Sequence, residues 1–326
     1  MMFDRPGAAA ELNRLGAAGI PCIFIIDFEM EAPLVLPLRE VRADAILYDF
    51  RGKRNFTAST GAISEGIELF PRPVPFERYE EMFQTVFRHI DAGNSYLVNL
   101  TVPTPVESPH SLRDIFHASA AKYRLLVEGR FVVFSPECFV RMEDGMIATF
   151  PMKGTIDAAV PDAEQTILTD PKEAAEQVTV TDLLRNDLSM VASDVAVKSF
   201  RYTERIRSTG RELIQVSTCI EGRLPADYPD RLGDILFALL PAGSVTGAPK
   251  RKTLGIIRSA ENGPRGYYTG IAGIFDGRAV DSCVLIRFIE SSGGTLVYRS
   301  GGGITAGSEP RKEYQELLDK IYVPVA

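Results

Sequence analysis

A lysine lies in a setting of small residues that could make it chemically active. Lys153 occupies the segment PMKGT, between a proline-led turn and a glycine, directly after the apolar run MIATF. A lysine amine withdrawn from water loses part of its proton affinity and can act as a nucleophile or a base. The same residues also fit a solvated turn lysine, so both interpretations stay open at this point.

Two glycine-containing segments could bind an anion. In residues 241–250, PAGSVTGAPK, a small-residue loop enters a helix that should begin near Ala248, and free N–H groups at a helix start attract negative charge. In residues 300–304, SGGGI, three glycines would let the main chain approach a ligand and bind a carboxylate. An ordinary flexible loop and a tight turn are the alternatives. Neither segment has the residue order of a nucleotide-binding loop.

Carboxylates occur at helical spacing in two places. Glu173 and Glu176 lie on one predicted helix, and Glu309, Glu313 and Glu316 lie at i, i+4 and i+7 on the last one. Such spacing places the last three on one helical face, which is typical of a face turned to solvent. If two such helices faced each other, their oxygens, with water and a ligand carboxylate, would suit octahedral magnesium.

The remaining polar residues, histidines and cysteines give weaker evidence of a functional site. The segment TDLLRND could be a ligand cluster or a helix-ending network of local hydrogen bonds; its polar members are Asp182, Arg185, Asn186 and Asp187. The three histidines show no ligand spacing and are given no role. The four cysteines contain no C-x-x-C pair, so we expect neither a zinc site nor a redox motif.

Several elements must position these residues. Residues 22–50 contain two apolar runs that predict strands, CIFIID and AILYDF, and residues 76–90 have apolar positions at helical spacing. Asp170 and Pro171 predict the cap and the first residue of a helix that runs to about Leu184. Residues 267–304 resemble a β-meander of hairpins, and Ser308 should cap a final helix to about Ile321. We predict an α+β fold with large, mostly antiparallel sheets in a central sandwich and helices outside.

Composition narrows the class of protein. The chain of 326 residues has 45% hydrophobic and 24% charged residues, which is ordinary for a globular protein. Its formal net charge of -7 argues against non-specific nucleic-acid binding, because phosphate is held by clustered Lys and Arg. No apolar stretch approaches the roughly 20 residues of a membrane span. We therefore expect a cytoplasmic protein that binds neither nucleic acid nor membrane.

Taken together, the segments resemble the chorismate-binding enzymes, which include anthranilate synthase large subunits, aminodeoxychorismate synthase component I and the isochorismate and salicylate synthases. The resemblance runs from about residue 75 to 320 through nine ordered motifs: GNSYLVNL, FSPECF, PMKGT, EQVTVTDLLRNDL, IEGRL, GSVTGAPKRKTLGII, YYTGIAGIFDG, CVLIRF and SGGGITAGSEPRKEYQELLDK. It implies one chorismate-binding domain over residues 1–326, with a shortened N-terminal portion at 1–74 that offers no tryptophan pocket.

Lys153 decides which branch of the family the chain resembles. Anthranilate synthases usually have alanine at this position, whereas PIKGT-like segments mark the aminodeoxychorismate branch. In that branch the lysine is thought to add to C2 of chorismate as the C4 hydroxyl leaves, after which ammonia enters at C4 and expels it. Glu137, in FSPECF, matches the acid that assists loss of the hydroxyl, a role that requires a protonated carboxyl. The sequence leaves open whether Lys153 is the nucleophile or a base.

The resemblance also implies a metal and a substrate pocket. Glu176 and Glu316, with Glu313 beside them, match glutamates that bind Mg²⁺, which would hold the ring carboxylate of chorismate. Positions that match substrate contacts are Thr246, Gly247, Tyr268, Arg287, Gly302 and Gly303. Arg287 could pair with a carboxylate in bidentate fashion, and Lys250 would add positive potential. This local charge would reconcile an acidic protein with a dianionic substrate.

The resemblance further implies a partner and one departure. Ammonia normally comes from a separate glutamine amidotransferase subunit, and this chain contains no Cys-His-Glu amidotransferase segment, so a glutaminase partner is expected. The histidine of the anthranilate branch is replaced here by Gln215. The product would serve the synthesis of 4-aminobenzoate and folate.

Three other functions compete with this one. Anthranilate synthase component I would share fold, metal and substrate but release pyruvate, and Lys153 argues against it. Isochorismate or salicylate synthases place their lysine on a different motif. A non-catalytic chorismate-binding protein should have lost Lys153, Glu176 or Glu316, and all three are present.

Overall fold

The computed structural model describes residues 2–57, 66–208 and 211–325. Within these ranges the chain forms eight helices, none of which is long and apolar enough to cross a membrane. The helices are α1 (Arg5–Ala17), α2 (Phe76–Asp91), α3 (Leu112–Ala118), α4 (Ala163–Thr169), α5 (Pro171–Leu188), α6 (Leu232–Ala238), α7 (Lys250–Ala260) and α8 (Pro310–Asp319).

The same ranges contain eighteen strands. They are β1 (Cys22–Ile26), β2 (Leu34–Pro37), β3 (Ile46–Phe50), β4 (Lys53–Arg54), β5 (Phe70–Pro71), β6 (Leu97–Glu107), β7 (Tyr123–Val127), β8 (Phe131–Ser135), β9 (Cys138–Glu143), β10 (Met146–Thr149), β11 (Met152–Asp157), β12 (Ser193–Ser208), β13 (Arg211–Arg223), β14 (Gly247–Ala248), β15 (Ile271–Phe275), β16 (Val280–Val284), β17 (Phe288–Ser292) and β18 (Thr295–Ile304).

Two antiparallel sheets, each of nine strands in the described part of the chain, contain all of these strands. The first sheet has the order β11-β13-β10-β9-β16-β15-β1-β2, with β12 also paired to β13. The second has the order β14-β6-β18-β17-β8-β7-β3-β4, with β5 also paired to β6. The predicted α+β fold with large antiparallel sheets is confirmed.

An apolar layer joins the two sheets. Ile23 and Ile25 of β1 in the first sheet pack in one cluster with Ile46 and Tyr48 of β3 in the second. The alternate residues of β1, such as Phe24, point to the opposite face and pack with helices α1, α5 and α6. All five residues of β1 are therefore buried, which explains its continuous apolar run. A further cluster packs α2, α7 and α8 on the second sheet.

The predicted β-meander at residues 267–304 is split between the sheets. Its first hairpin, β15–β16, belongs to the first sheet, and its second, β17–β18, belongs to the second. The chain crosses between them at Arg287, which adopts a positive φ of 55°. Hairpin spacing alone could not predict this crossing, because both hairpins have the same local pattern. The crossing places Arg287 at the junction of the two sheets.

The helix boundaries test the predicted caps. The helix at residues 76–90 is confirmed as α2, and the Asp170 side chain accepts a hydrogen bond of 2.9 Å from Glu173 N at the start of α5. The predicted cap Ser308 is wrong, since α8 begins after Glu309. The Ser308 hydroxyl instead accepts from Thr305 N at 3.1 Å, so it closes the loop that precedes the helix.

Two helical glycines should respond in opposite directions to alanine. A Cβ added at Gly233 of α6 would lie 2.2 Å from Ala9 O of α1, whereas one added at Gly255 of α7 meets nothing within 4 Å. Gly233→Ala should lower the free energy of unfolding by about 1–3 kcal/mol because the helices must separate. Gly255→Ala should raise it by up to about 1 kcal/mol through helix propensity. Urea unfolding followed by circular dichroism measures both, and a stable Gly233→Ala protein would contradict the described helix contact.

Candidate active site

Lys153 lies on a strand and is held by a carboxylate. Strand β11 carries it, and its amine donates to Glu176 Oε2 of α5 at 3.1 Å. The Lys172 amine approaches the other oxygen of Glu176 at 3.8 Å. The side chains of Lys153 and Glu176 are only 27% and 20% exposed. The structure therefore does not support a solvated turn lysine at this position.

The glycine run Gly301–Gly303 is part of strand β18, not the tight turn considered from the sequence. It pairs with β6, with Gly303 opposite Asn99, while the described part of β17 pairs only with residues 295–299. A Cβ added at Gly303 would lie 4.0 Å from Lys153 Nζ, and one added at Gly302 would lie 3.8 Å from Lys320 Nζ. The run therefore brings main chain without side chains of its own next to both lysine amines, and we call it the glycine floor.

Glu137 lies between β8 and β9, and hydrogen bonds hold both its carboxyl group and its main-chain N–H. The Ser244 hydroxyl donates to its Oε1 at 2.5 Å, and its own N–H donates to Ser135 Oγ at 3.1 Å. Burial raises the pKa of the Glu137 carboxyl, against the opposing effects of the Ser244 hydrogen bond and of the nearby positive charges of Lys153, Arg287 and Lys320. A carboxyl with a raised pKa can keep a proton closer to neutral pH. Glu137 thus has the environment of a general acid.

Carboxylates of α5 and α8 influence one another electrostatically. Burial raises the pKa of Glu313, and the charges of Glu316 and Glu176 raise it further, against a hydrogen bond from Ser308. Burial also raises the pKa of Glu173, with Glu176 adding to the effect. Glu313 is only 6% exposed. The predicted solvent-facing position is therefore wrong for Glu313, because α8 turns it toward Gly302 of the glycine floor, 3.6 Å from a Cβ added there.

Oxygen donors for a hard cation are thus present on two helices. Among the described residues, no three His, Cys, Asp or Glu side chains form a ready metal cage. Mg²⁺ commonly uses one or two carboxylates, several waters and oxygens of the substrate. Glu176 and Glu316 each hold a lysine amine, which shows that both positions accept a positive charge. The donor set therefore fits magnesium bound together with an anionic ligand.

Lys320 is a site residue that sequence reasoning missed. Its amine contacts Glu316 Oε1 at 2.7 Å and donates to Gly301 O at 2.9 Å. Burial lowers the pKa of this amine, against the opposing effect of Glu316, and the charges of Arg287 and Lys153 lower it further. Its position four residues after Glu316 was a usable signal. Ser244, inside the quoted loop, was missed in the same way.

The loop at residues 241–250 packs against strand β6. Thr246 is fully buried, and its hydroxyl donates to Ala242 O at 2.8 Å. Gly247 has a φ of +126°, and a Cβ there would lie 1.9 Å from Leu97 O, so only glycine fits. Helix α7 begins at Lys250, two residues later than expected.

Lys250 is paired within the protein. Its amine lies 2.9 Å from Asp187 Oδ2 and donates to Leu239 O at 2.8 Å. Its charge is therefore largely neutralised at this position. Elsewhere in TDLLRND, Arg185 and Asn186 bond Asp182 at 2.8 and 3.4 Å. The structure thus supports a local network there and a separate ion pair for Asp187.

Tyr268 and Arg287 occupy the junction of the sheets. Tyr268 is 3% exposed, with its ring 5.8 Å from that of Phe288. Burial raises the pKa of Tyr268 to about 12, against the charges of Arg265 and Arg287, so its hydroxyl keeps its proton at neutral pH. The Arg287 guanidinium lies 5.3 Å from the centre of the Tyr322 ring. The charge of Arg287 also acts on Glu137 and Lys320, so it lies near both groups.

Gln215, the residue that the resemblance set against a histidine of the anthranilate branch, is buried. It lies on β13 opposite Thr155 of β11 and is 4% exposed. Its Nε2 has no hydrogen-bond partner within the described residues. A neutral amide cannot exchange a proton as an imidazole does, so this position lacks an acid or base.

Three comparisons with known proteins show what this chain is similar to. Residues 59–326 match the family described as chorismate binding enzyme. An Uncharacterized PabA-like protein of Haemophilus influenzae is 47% identical over 97% of this chain and 95% of its own length. Aminodeoxychorismate synthase component 1 of Klebsiella aerogenes is 34% identical over 75% of this chain and 56% of its own length. The crystal structure of anthranilate synthase component I from Streptococcus pneumoniae superposes with a TM-score of 0.66 and 26% identity, over 78% of this chain and 59% of that one.

The raised pKa of Glu137 predicts a pH-dependent cost in stability. A carboxyl whose pKa is higher in the folded than in the unfolded state weakens folding as the pH rises above the unfolded value of about 4.3. Glu137→Gln removes this titration. The thermal midpoint of the variant should therefore rise relative to the parent between pH 5 and pH 8, as measured by circular dichroism.

The control for this experiment is Glu143→Gln, at an exposed position of β9. Its midpoint should follow that of the parent protein across the same pH range. A Glu137→Gln difference that stays constant with pH would contradict a raised pKa for Glu137.

Proposed function

The chain belongs to the chorismate binding enzyme family, and from this we propose that it aminates chorismate at C4 to give 4-amino-4-deoxychorismate. The position of Lys153 carries the proposal. Its amine borders the space above the glycine floor, 4.0 Å from a Cβ added at Gly303, and is held by Glu176. Gly303 itself projects no side chain, so a ring bound there would lie close to the amine, next to the Leu97 side chain.

Lys153 acts in this proposal as a covalent catalyst. Its nitrogen, in the unprotonated form, adds to C2 of chorismate, the two ring double bonds shift, and the C4–oxygen bond breaks. Glu137 donates the proton with which the hydroxyl leaves as water. Ammonia then attacks C4, the double bonds shift back, and the C2–nitrogen bond to Lys153 breaks. The Glu137 carboxylate takes back a proton from the new C4 ammonium group, which restores the acid. The net change is exchange of water for ammonia, with the enolpyruvyl group retained.

The positive groups around this space suit a dianion. Arg287 can bind a carboxylate with two parallel hydrogen bonds, and Lys320 supplies a second charge above Gly302. The Tyr268 hydroxyl is a neutral donor in the same region, while Thr246 and Gly247 supply the wall beside β6. Lys250 contributes through its pairing with Asp187, which fixes α7 against α5, and not as a free positive charge.

Magnesium is the cofactor that this proposal requires. Glu176 and Glu316 would hold it, with Glu313 close by, and the bound ion would neutralise the ring carboxylate of chorismate. The lysines that contact these carboxylates would then be free to face the substrate. Glu173 lies near Gly154, with its Oε2 3.2 Å from a Cβ added there. It adds to the negative charge of this region.

The proposed nitrogen source is a separate glutamine amidotransferase subunit. The resemblance to aminodeoxychorismate synthase component I supports this partner, because that component receives ammonia from a glutaminase. The product would then feed the synthesis of 4-aminobenzoate and folate. Ammonium salts replace the partner in a direct test of the reaction.

The purified chain should convert chorismate, Mg²⁺ and ammonium into an aminated product that keeps the enolpyruvyl group, identified by mass spectrometry. Lys153→Ala should lower its rate of formation by at least about a hundredfold. Lys153→Arg is the matched control for charge, since it can keep the contact with Glu176 but cannot form the covalent bond. Both variants should therefore lose activity.

Two results would count against the proposal. Anthranilate with released pyruvate would assign the chain to the reaction named for the Streptococcus pneumoniae protein. Full turnover by Lys153→Arg would show that only the positive charge is needed, and would remove covalent catalysis by Lys153.

The magnesium assignment has its own test. Glu316→Gln should weaken Mg²⁺ binding by at least about 10- to 100-fold, because the loss of a group that only supports a metal ligand already costs this much. Isothermal titration calorimetry with chorismate present measures the change. Glu309→Gln is the matched control on the same helix, because Glu309 pairs with the exposed Lys312 and not with the site. Equal Mg²⁺ affinity in the two variants would show that Glu316 is not a magnesium ligand.

A further inference from the structure

An ion pair lies buried beside the candidate active site and takes no part in the proposed chemistry. The side chains of Arg265 and Glu261 are 1% and 6% exposed. Arg265 Nε donates to Glu261 Oε2 at 2.9 Å, and its Nη2 donates to Oε1 at 2.6 Å. The guanidinium also lies 4.6 Å from the centre of the Phe28 ring. A buried ion pair often stabilises a fold no more than an apolar pair of equal size. Its hydrogen bonds to other segments therefore indicate its role.

Two of these segments are the loop at residues 241–250, which we call the substrate loop, and strand β6, which pairs with the glycine floor. Arg265 Nη1 donates to Val245 O at 2.8 Å, and Nη2 donates to Asn99 O at 2.7 Å. Val245 immediately precedes Thr246, and Asn99 pairs with Gly303. The ion pair thus fixes the main chain at two of the proposed substrate contacts.

Glu261 and Thr269 extend the same network. Glu261 Oε1 accepts from Thr101 N at 2.9 Å, and Thr101 pairs with Gly301 on the other strand. Arg265 Nη1 lies 3.4 Å from Thr269 Oγ1, which donates to Tyr268 O at 2.6 Å. The network therefore reaches both ends of the glycine floor and the residue next to Tyr268.

We propose that Arg265 and Glu261 are positioning residues that fix the substrate loop, the glycine floor and Tyr268 relative to one another. Neither touches the substrate, and both act through main-chain groups. The same network orients Glu137, since Ser244, the residue before Val245, donates to it. Lysine cannot replace Arg265, because an ammonium lacks the planar fork that reaches Glu261, Val245 and Asn99 together. The substrate named here rests on the proposed function, but the positioning does not.

Arg265→Lys tests this inference against a remote pair of the same type. Arg124 and Asp49 pair at 2.6 Å with side chains 15% and 13% exposed, on β7 and β3 of the second sheet. Arg124→Lys is therefore the matched control. Both variants should lose thermal stability. Only Arg265→Lys should weaken chorismate binding, by about 10- to 100-fold, in calorimetry with Mg²⁺ present at a temperature where both are folded.

Hydrogen exchange measured by mass spectrometry provides a readout that needs no ligand. Arg265→Lys should speed exchange in residues 97–101, 243–248 and 299–304, while Arg124→Lys should not. Glu261→Asp keeps the counter-ion of Arg265 but draws the carboxylate back from Thr101 N, so it should fold and speed exchange in the same residues. It decides the question if Arg265→Lys does not fold.

The two proposals can fail separately. Exchange that rises evenly through the chain, or equally in the Arg124→Lys control, would overturn the positioning role. A parent protein that does not bind chorismate would overturn the proposed function, while the exchange pattern would still decide whether Arg265 and Glu261 position these segments.

Discussion

The site depends on one buried guanidinium. Arg265 is withdrawn from water, so its charge needs a counter-ion and its N–H groups need acceptors. Glu261 supplies the counter-ion, and the carbonyls of Val245 and Asn99 supply acceptors from two separate segments. Because Asn99 pairs with Gly303, the glycine floor takes its position from the same network. Because the buried guanidinium must be paired and hydrogen-bonded, it links parts of the chain that are distant in sequence.

Charge is distributed unevenly in this acidic protein. Lys153, Lys320 and Arg287 surround Glu137 closely enough to oppose the effect of burial on its pKa. Carboxylates of α5 and α8 contact two of these cations, as the pairs Lys153–Glu176 and Lys320–Glu316 show. Positive and negative groups therefore lie side by side in a partly dry space, where electrostatic interactions are stronger than in water. Such a site suits an anionic ligand bound together with a cation.

Much of the local structure could be predicted from the sequence. Asp170 and Pro171 predicted the start of α5 because a cap depends on neighbouring residues only. The same reasoning failed at Ser308, whose hydroxyl bonds within the preceding loop. It failed again at Glu313, where helical spacing gives a face but not what covers that face. The split of the predicted meander between the sheets was likewise invisible, because hairpin signals do not specify the sheet.

The sequence by itself determined the family, the chemical types of Lys153 and Glu137, and the caps and strands that surround them. Only the tertiary structure decided which groups meet. Ser244 reaches Glu137 across 107 residues of chain, and Lys153 meets Glu176 from a strand to a helix. Spacing along one helix or strand fixes the direction of a side chain, but contacts between elements follow from strand order, register and burial. Those are properties of the packed sheets and are not encoded in any single segment.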